Sequence, residues 1–392
     1  MSPQKHLLVL HQAYVIGGAE LTTRNVLDGL QQTGDYRVTL ICPQVMSDYW
    51  AQGCDQWLDS APLGLAGWFD TPTRLWRDAR VLSTLLREHQ VDLAIGMMHY
   101  SSAVLALAIR MAGVATRLLA SYRGPVFEHL RHFEPNRGRR IWIHAAICAS
   151  SHAAQGVTMP SEGTALELSR HCWTPARKLH VVYNGINLEE AGQRGAQPIK
   201  LPTPLEQGEP FAAVSARLSE EKRLDWVINA FARLDSAAEL KLLVLGEGSA
   251  RAQLENRVHI LGLEQRIIFQ GHVDDPLPYL ARSRMFIHTC QYEGFGYSIL
   301  EALACGTPVI ATDCPYGPRE LLHDPGSPGA PAGLLVPMND PDALAAAMSL
   351  IWKDETLAHA LIERGRARAQ ELSLPRMQTG HEQVIRDLLG KN

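Results

Sequence analysis

Apolar runs of strand length alternate with helical patterns along almost the whole chain, and this alternation limits the fold more than any other feature. Strand–helix alternation predicts parallel sheets covered by helices on both faces, the α/β class. Leu7 to Leu10, Arg37 to Ile41, Val91 to Ile95, Arg117 to Ala120, Ala146 to Ala149 and Leu179 to Tyr183 read as strands, and Ala19 to Leu30 as the first helix. A second series reads as strands near 211–216, 241–246, 266–270, 285–289 and 308–312. Between the two series the chain turns polar and rich in Gly, Gln and Pro, with Pro198, Pro202 and Pro204 close together. That composition marks a linker. The expectation is two α/β domains, 1–188 and 210–374, joined by the linker 189–209. The segment 375–392 begins with Pro at a plausible first helical position and follows a separate helix at 355–371.

Composition narrows the function classes. The length of 392 residues suits roughly two or three domains. A net charge of -4 argues against general nucleic-acid binding, which needs basic residues to neutralise phosphates. The seven cysteines (42, 54, 148, 172, 290, 305 and 314) are scattered and hold no C-x-x-C pair, which predicts reduced thiols in a cytoplasmic protein. The start of the chain shows one short apolar run, His6 to Leu10, and no secretory h-region. The longest apolar stretch, near Ala103 to Ala120, is broken by Arg110 and Arg117, so no membrane-spanning helix is expected.

Open α/β sheets bind ligands outside the carboxyl ends of their strands. Several residues just after the strands have suitable chemistry. Gly17-Gly18 sits between a strand and a helix, where backbone N–H groups can hold an anion, although a plain turn pair fits equally. Arg217 and Lys222 offer two positive charges to a diphosphate; Glu220 and Glu221 beside them also suit a solvated loop. Gly246-Glu-Gly248 and Gly271-His272 follow two further strands. Glu293 precedes the turn Gly294-Phe295-Gly296, after which a helix runs from about Tyr297 to Ala304 and stops at Gly306. Helix N–H groups and a carboxylate together suit a sugar phosphate. Glu301 shares its helix face with Tyr297, Ser298 and Cys305, and Leu300, Ala302 and Leu303 surround it. A carboxylate in such a place needs a partner, and a ribose diol would serve.

Glu293 and Glu301, eight residues apart, resemble the E-x7-E signature of retaining glycosyltransferases of the GT-B fold, above all family 4. The resemblance covers most of the chain. Gly17-Gly18-Ala-Glu20 is similar to the family's glycine loop, and Val182-Tyr-Asn184-Gly185-Ile-Asn187 to the motif closing its first domain. Ser215-Ala-Arg217-Leu, Glu221-Lys222, Leu243 to Gly248 and Phe269-Gln-Gly271 fall in the family's order and spacing. Asp313 to Glu320 resembles a loop variant of bacterial surface-polysaccharide enzymes. One departure is Leu372-Ser373, where the family usually has an aromatic before the serine.

The resemblance implies two Rossmann-like domains facing across a cleft, with the segment 375–392 crossing back to the first. It implies a nucleotide-sugar donor, by base rate a UDP-sugar, in the second domain and a glycan or lipid-linked acceptor in the first. Glu301 would hold the ribose and Glu293 the sugar hydroxyls. Arg217 and Lys222 would hold the diphosphate with N–H groups of Gly17, Gly18, Gly294, Phe295 and Gly296, beside Gly246 and Gly271. Glu293, His99, Arg217 and Lys222 would be the catalytic set, and His99 and Arg123 would meet the acceptor. His99 also reads as a satisfied structural histidine. Transfer would retain anomeric configuration and use no cofactor and no metal, the cationic side chains doing a metal's work.

Two metal-like patterns are set aside. Asp340-Pro-Asp342, the D-x-D motif of metal-dependent glycosyltransferases of another fold, reads as a helix cap. His144, Cys148 and His152 have zinc-like spacing, but the expected strand-to-helix crossing there scatters their directions. Arg131 to Trp142 mixes basic and aromatic residues, which suits an anionic membrane surface or a solvated loop. Six of the eight tryptophans lie in the first domain, as core or as an acceptor groove. A nucleotide-sugar epimerase of similar architecture and a non-catalytic sugar-binding protein are the rival functions. The glutamate spacing disfavours the first, and the full charged set disfavours the second.

Overall fold

The computed structural model describes residues 4–14, 16–203, 205, 209–234, 240–323 and 330–390. The chain divides into two compact units: one runs to Asn184 and resumes at Leu374, and the other is Gly185–Ser373. Pro204 of the expected linker lies outside the described residues.

The first unit holds seven strands, β1 (Lys5–Leu10), β2 (Tyr36–Cys42), β3 (Gln56–Asp59), β4 (Leu93–Met97), β5 (Arg117–Ser121), β6 (Gly156–Met159) and β7 (Leu179–Val181). All pair in parallel in the order β3-β2-β1-β4-β5-β6-β7, so the direction of winding reverses between β1 and β4. Successive side chains of a strand point to opposite faces. On β1, Leu7 and Val9 join the core cluster that also contains Leu27, Leu30 and Ile385, whereas Leu8 and Leu10 join Leu82, Val104 and Ile147 on the other side. Both faces are buried, which is why the strand reads as an unbroken apolar run. The helix Leu374–Gly390 belongs to this unit and adds Met377, Val384, Ile385 and Leu388 to its core. Gln378 donates to the Asn25 carbonyl at 3.1 Å, and the Tyr36 hydroxyl to Glu382 at 3.2 Å.

The second unit holds β8 (Phe211–Ser215), β9 (Lys241–Leu245), β10 (Ile267–Gly271), β11 (Met285–His288), β12 (Val309–Thr312) and β13 (Leu334–Val336). They form a parallel sheet in the order β10-β9-β8-β11-β12-β13, with the reversal between β8 and β11. Ala212, Val214, Val244, Met285 and Ile310 carry its core toward the flanking helices Leu224–Phe231 and Pro341–Lys353.

The structure departs from the sequence reading in several places, and it adds the strands β3, β6 and β13. Ala146 to Ala149 is not a strand but the middle of the helix Arg137–Ala153. Ile143, Ile147, Ser150 and Ser151 are its buried residues, at helical spacing, and Asn136 caps it by accepting from the Arg139 N–H at 3.0 Å. The stretch read as linker opens with the helix Leu188–Gly195, capped by Asn187 and part of the second unit. The seven cysteines are not all reduced, because Cys148 and Cys172 form a disulfide, with Cα atoms 4.9 Å apart. Helix packing brings this pair together across 24 residues of sequence, which spacing alone does not show.

Candidate functional site

The carboxyl ends of β8 and β11 flank the reversal of strand order in the second unit, where open α/β sheets bind ligands. After β8 the chain enters a single 3-10 turn, Glu220–Lys222. After β11 it runs to Gly296, the N-cap of the helix Tyr297–Cys305, with φ 105° there. That positive φ favours glycine. Two hydrogen bonds tie the loops: the Gln291 N–H donates to the Glu221 carbonyl at 2.8 Å, and the Thr289 hydroxyl to the Lys222 carbonyl at 2.9 Å. They bring Lys222 Nζ to 2.6 Å from Glu293 Oε2.

Backbone bonds on both sides hold Glu293. Its N–H donates to the Pro315 carbonyl at 2.6 Å, and its carbonyl accepts from Tyr316 at 2.8 Å and Gly317 at 3.1 Å. A Cβ on Gly317 would lie 2.2 Å from the Phe295 carbonyl oxygen, so glycine lets this loop press against the turn. The Gly294 N–H donates to Glu293 Oε1 at 3.1 Å. Burial alone would raise the Glu293 carboxyl, but Lys222 and His288, with these hydrogen bonds, hold it below the usual carboxylate range. Burial alone would lower the Lys222 ammonium, but the Cys290 sulfur and the Glu293 carboxylate raise it. The pair is therefore an ion pair, with side chains 20% and 19% exposed.

His288 ends β11 and is buried. Its Nε2 lies 3.6 Å from Glu293 Oε2, and its Nδ1 lies 3.4 Å from the Ser298 hydroxyl. The Cys290 thiol donates to the Tyr292 carbonyl, with sulfur and oxygen 2.7 Å apart. His288, Cys290 and Glu293 each place a metal-type donor atom within 4.8 Å of the others, but the Lys222 ammonium already bonds the carboxylate there.

Glu301 lies one turn beyond Ser298 on the same helix. Burial pushes its carboxyl up to about 7; Arg194 opposes the shift and Asp275 adds to it. Arg194 holds Asp275 through two bonds of 2.9 Å each. Among the described residues, no side chain hydrogen-bonds the Glu301 carboxylate. Cys305, one turn further, is pushed up to about 12 by burial and by the Glu301 charge.

The other expected donor-side residues lie at the rim. Arg217 is 70% exposed and reaches Glu221 at 3.4 Å, so it approaches the Lys222–Glu293 pair only through that carboxylate. Gly246 has φ 139°, and a Cβ there would lie 1.9 Å from the Ala216 carbonyl oxygen. Its glycine therefore lets the loop after β9 touch the loop after β8. The Gly246 N–H donates to the Gly271 carbonyl at 2.7 Å, which joins the end of β10 to the same rim. Asp340 does cap a helix, accepting from the Ala343 N–H at 2.9 Å.

In the first unit, Gly17 caps the helix Gly18–Thr33, whose first turn carries Glu20. Glu20 Oε1 lies 3.4 Å from Nε2 of the buried His11, which stacks on Trp50 at 4.8 Å. An anion at this helix start would share it with a carboxylate. His99 follows β4 on the helix Met98–Ala112, which comes close because a Cβ on Gly96 would lie 2.5 Å from Ser102 Cα. The ring is buried, stacks on Tyr122 at 4.4 Å, and burial lowers its pKa to about 3, with His129 adding to the shift. At neutral pH it is an uncharged imidazole. Arg123 is also buried; its guanidinium donates to the Ser121 hydroxyl at 3.0 Å and to the Thr158 hydroxyl at 3.0 Å.

Sequence reasoning missed His288 and the Arg194–Asp275 pair. The rule of strand ends reaches His288, since it closes β11. Arg194 was hidden in the stretch read as linker. A surface hollow of about 440 Å³ in the first unit, bordered by Lys5, Asp92 and Arg117, lies at the amino ends of its strands, away from the ends that bind ligands.

Residues 16–190 match the family described as Glycosyltransferase Family 4, and residues 197–368 match Glycosyl transferases group 1. The chain is 30% identical over 210 residues to the N-acetylgalactosamine-N,N'-diacetylbacillosaminyl-diphospho-undecaprenol 4-alpha-N-acetylgalactosaminyltransferase of Campylobacter jejuni, covering 54% of each chain. It is 34% identical over 166 residues to the lipopolysaccharide core biosynthesis glycosyltransferase LpsE of Rhizobium meliloti, covering 42% of this chain and 46% of that one. The matched stretch thus spans about half the length of these relatives. Among solved structures, Anabaena Alr3699/HepE in complex with UDP superposes with a TM-score of 0.78 at 19% identity, over 98% of this chain and 100% of that one. That likeness is one of fold.

Proposed function

This chain belongs to the glycosyltransferases of family 4, and on that premise we propose that it moves a sugar from a UDP-sugar to a glycan or lipid-linked acceptor in surface-polysaccharide or glycolipid synthesis. The observation that carries the reading is the Lys222–Glu293 ion pair at the reversal of strand order. An ammonium has three N–H donors, and the one given to Glu293 leaves two for phosphate oxygens. Charge-assisted bonds of this kind stabilise a diphosphate as it leaves with the electrons of the sugar bond. Glu293 then meets the sugar hydroxyls, and Glu301 takes the ribose diol. The N–H groups of the turn Gly294 to Gly296, with Arg217, complete the anion site within the second unit.

The transfer retains configuration and needs no metal in this reading, because Lys222 and Arg217 supply the positive charge. His99, neutral at working pH, and Arg123 serve the acceptor. The name of the Campylobacter relative, which ends its acceptor in diphospho-undecaprenol, supports a lipid-linked acceptor here. No helix among the described residues is long and apolar enough to cross a membrane. Trp68 and Ile141 are exposed, and the Arg139 guanidinium lies 4.6 Å from the Trp68 ring, which suits peripheral contact with an anionic surface.

Calorimetric titration with UDP, GDP and ADP, with and without EDTA, tests the donor site. Selective binding of UDP, unchanged by EDTA, is the expected result. Equal binding of all three, or loss of binding in EDTA, would remove the UDP-sugar or the metal-free part of the reading. Binding of none would remove it altogether.

A further inference from the structure

The helix Arg137–Ala153 places His144, Cys148 and His152 four residues apart, so they form one stripe on its surface. The stripe faces the carboxyl end of the helix Glu162–Cys172. His144 Nε2 lies 3.1 Å from the His171 carbonyl, His152 Nε2 lies 2.8 Å from the Cys172 carbonyl, and Cys148 is joined to Cys172. A ring nitrogen of His144 and the two sulfurs all lie within 4.8 Å of one another. The directions that a strand-to-helix crossing would have scattered therefore converge.

We propose that this cluster is a redox-gated Zn²⁺ site: a disulfide when oxidised, and a metal centre of His144, Cys148 and Cys172 when reduced. Three features of the cluster favour a metal over a bare dithiol. The donors are one nitrogen and two sulfurs, the set that zinc prefers among divalent cations, with water completing the tetrahedron on the half-exposed side. Two thiolates balance the charge of one Zn²⁺, so the half-buried site stays neutral. The bond from the His144 Nε2–H to the His171 carbonyl holds the ring beside both sulfurs, so the metal can be met by the Nδ1 lone pair or, once that bond is given up, by Nε2. With Zn–S bonds of about 2.3 Å, a tetrahedral centre separates its sulfurs by about 3.8 Å, a distance that side-chain rotation can supply.

The chemistry balances. A dithiol reductant transfers two electrons and two protons to the disulfide, giving two thiols and an oxidised reductant. Zn²⁺ then binds both sulfurs and releases the two thiol protons to solvent. The site lies in the first unit, apart from Lys222 and Glu293, so it stands or falls independently of the proposed transfer reaction.

The test uses the full chain, as purified and after reduction and anaerobic desalting, with Zn²⁺ uptake measured against a chromophoric chelator. The reduced protein should take up one Zn²⁺ per chain and the oxidised protein none. Cys148→Ser should abolish uptake, and His144→Ala should weaken it at least tenfold. Cys290→Ser should leave it intact, which separates this site from the donors around His288. Co²⁺ in place of Zn²⁺ should give thiolate-to-metal charge-transfer bands, which reports the sulfurs even if one variant folds poorly. Thiol titration should count two more reactive thiols after reduction than before. No uptake by the reduced protein, uptake that survives Cys148→Ser, or a Co²⁺ spectrum without thiolate bands would overturn the metal site. Equal thiol counts would overturn the redox gate.

Discussion

The two sheets share one winding pattern, each reversing direction beside its first strand, yet their carboxyl ends carry opposite chemistry. In the second unit they hold fixed charges: Lys222 on Glu293, Arg217 on Glu221, and Glu301 near the Arg194–Asp275 pair. In the first unit the groups after β4 and β5 are buried and turned inward: His99 uncharged against Tyr122, and Arg123 on Ser121 and Thr158. The same backbone plan thus yields one end with partly exposed ion pairs and one whose imidazole and guanidinium are buried against a ring and hydroxyl groups. The difference lies wholly in the side chains that follow the strands. Fold alone does not assign function; the site does.

The largest effect should come from breaking the charged end. Lys222→Ala is expected to lower kcat by about 10²–10³-fold, the scale seen when a preorganised charge is removed from a transition state. Glu293→Gln should cost less in nucleotide binding than in turnover, because the amide keeps the shape and loses the charge. Steady-state rates together with UDP affinity separate the two. Normal turnover in Lys222→Ala would abolish the distinction between the sheets.

Next in size are the glycines that allow close approach. Gly246→Ala would put a Cβ 1.9 Å from the Ala216 carbonyl in the second unit, and Gly96→Ala would put one 2.5 Å from Ser102 Cα in the first. Each should cost about 2–4 kcal/mol, read from denaturant midpoints at fixed m. Gly246→Ala should also weaken UDP binding, since it displaces the loop after β8. Gly96→Ala should leave UDP binding intact, because its damage falls on the helix that carries His99. Smaller again is His99→Asn, expected to lower turnover about tenfold with UDP affinity unchanged. An equal loss of UDP affinity would show that the buried end also serves the donor.

Much of this was legible in the sequence, for identifiable reasons. Strands buried on both faces announce themselves as apolar runs, so β1, β2, β5, β8 and β9 fell within a residue or two of their observed bounds. Short strands such as β6 and β13, four and three residues long, carry too little pattern to stand out. Ala146 to Ala149 reads as a strand because a run of small and apolar residues fits either period, and the decisive cap, Asn136, lies outside it. Lys222 and Glu293 could be nominated from the strand-end rule, but their 2.6 Å contact depends on two loops separated by 71 residues. Arg194 was invisible because Gly and Gln around it signal a linker, whereas Asn187 caps a helix there. The disulfide is a matter of helix packing, which spacing does not encode.

The smallest effect is a pH dependence, and it distinguishes the two carboxylates of the charged end. Glu293 is held below the usual range, so it stays ionised across neutral pH, and the stability of its ion pair is lost only as pH falls through its folded value. Glu301 is raised to about 7, so the folded chain holds a proton that the unfolded chain has already released near the ordinary value of 4.5. Its protonated form therefore contributes stability that is complete below about 4.5 and lost as pH rises through about 7. Ligand binding should run the other way. A ribose diol needs an acceptor, so UDP should bind more tightly as pH climbs from 6 to 8, by roughly tenfold if only the carboxylate form binds. The phosphate of UDP titrates nearby, so Glu301→Gln is the control. Its amide keeps one acceptor at every pH, and its affinity profile should retain only the ligand's own slope. Calorimetry in two buffers of different ionisation enthalpy at pH 7 should show wild type releasing more protons on binding UDP than Glu301→Gln. Identical proton release would place the ribose elsewhere, and would leave Lys222–Glu293 as the whole of the charged site.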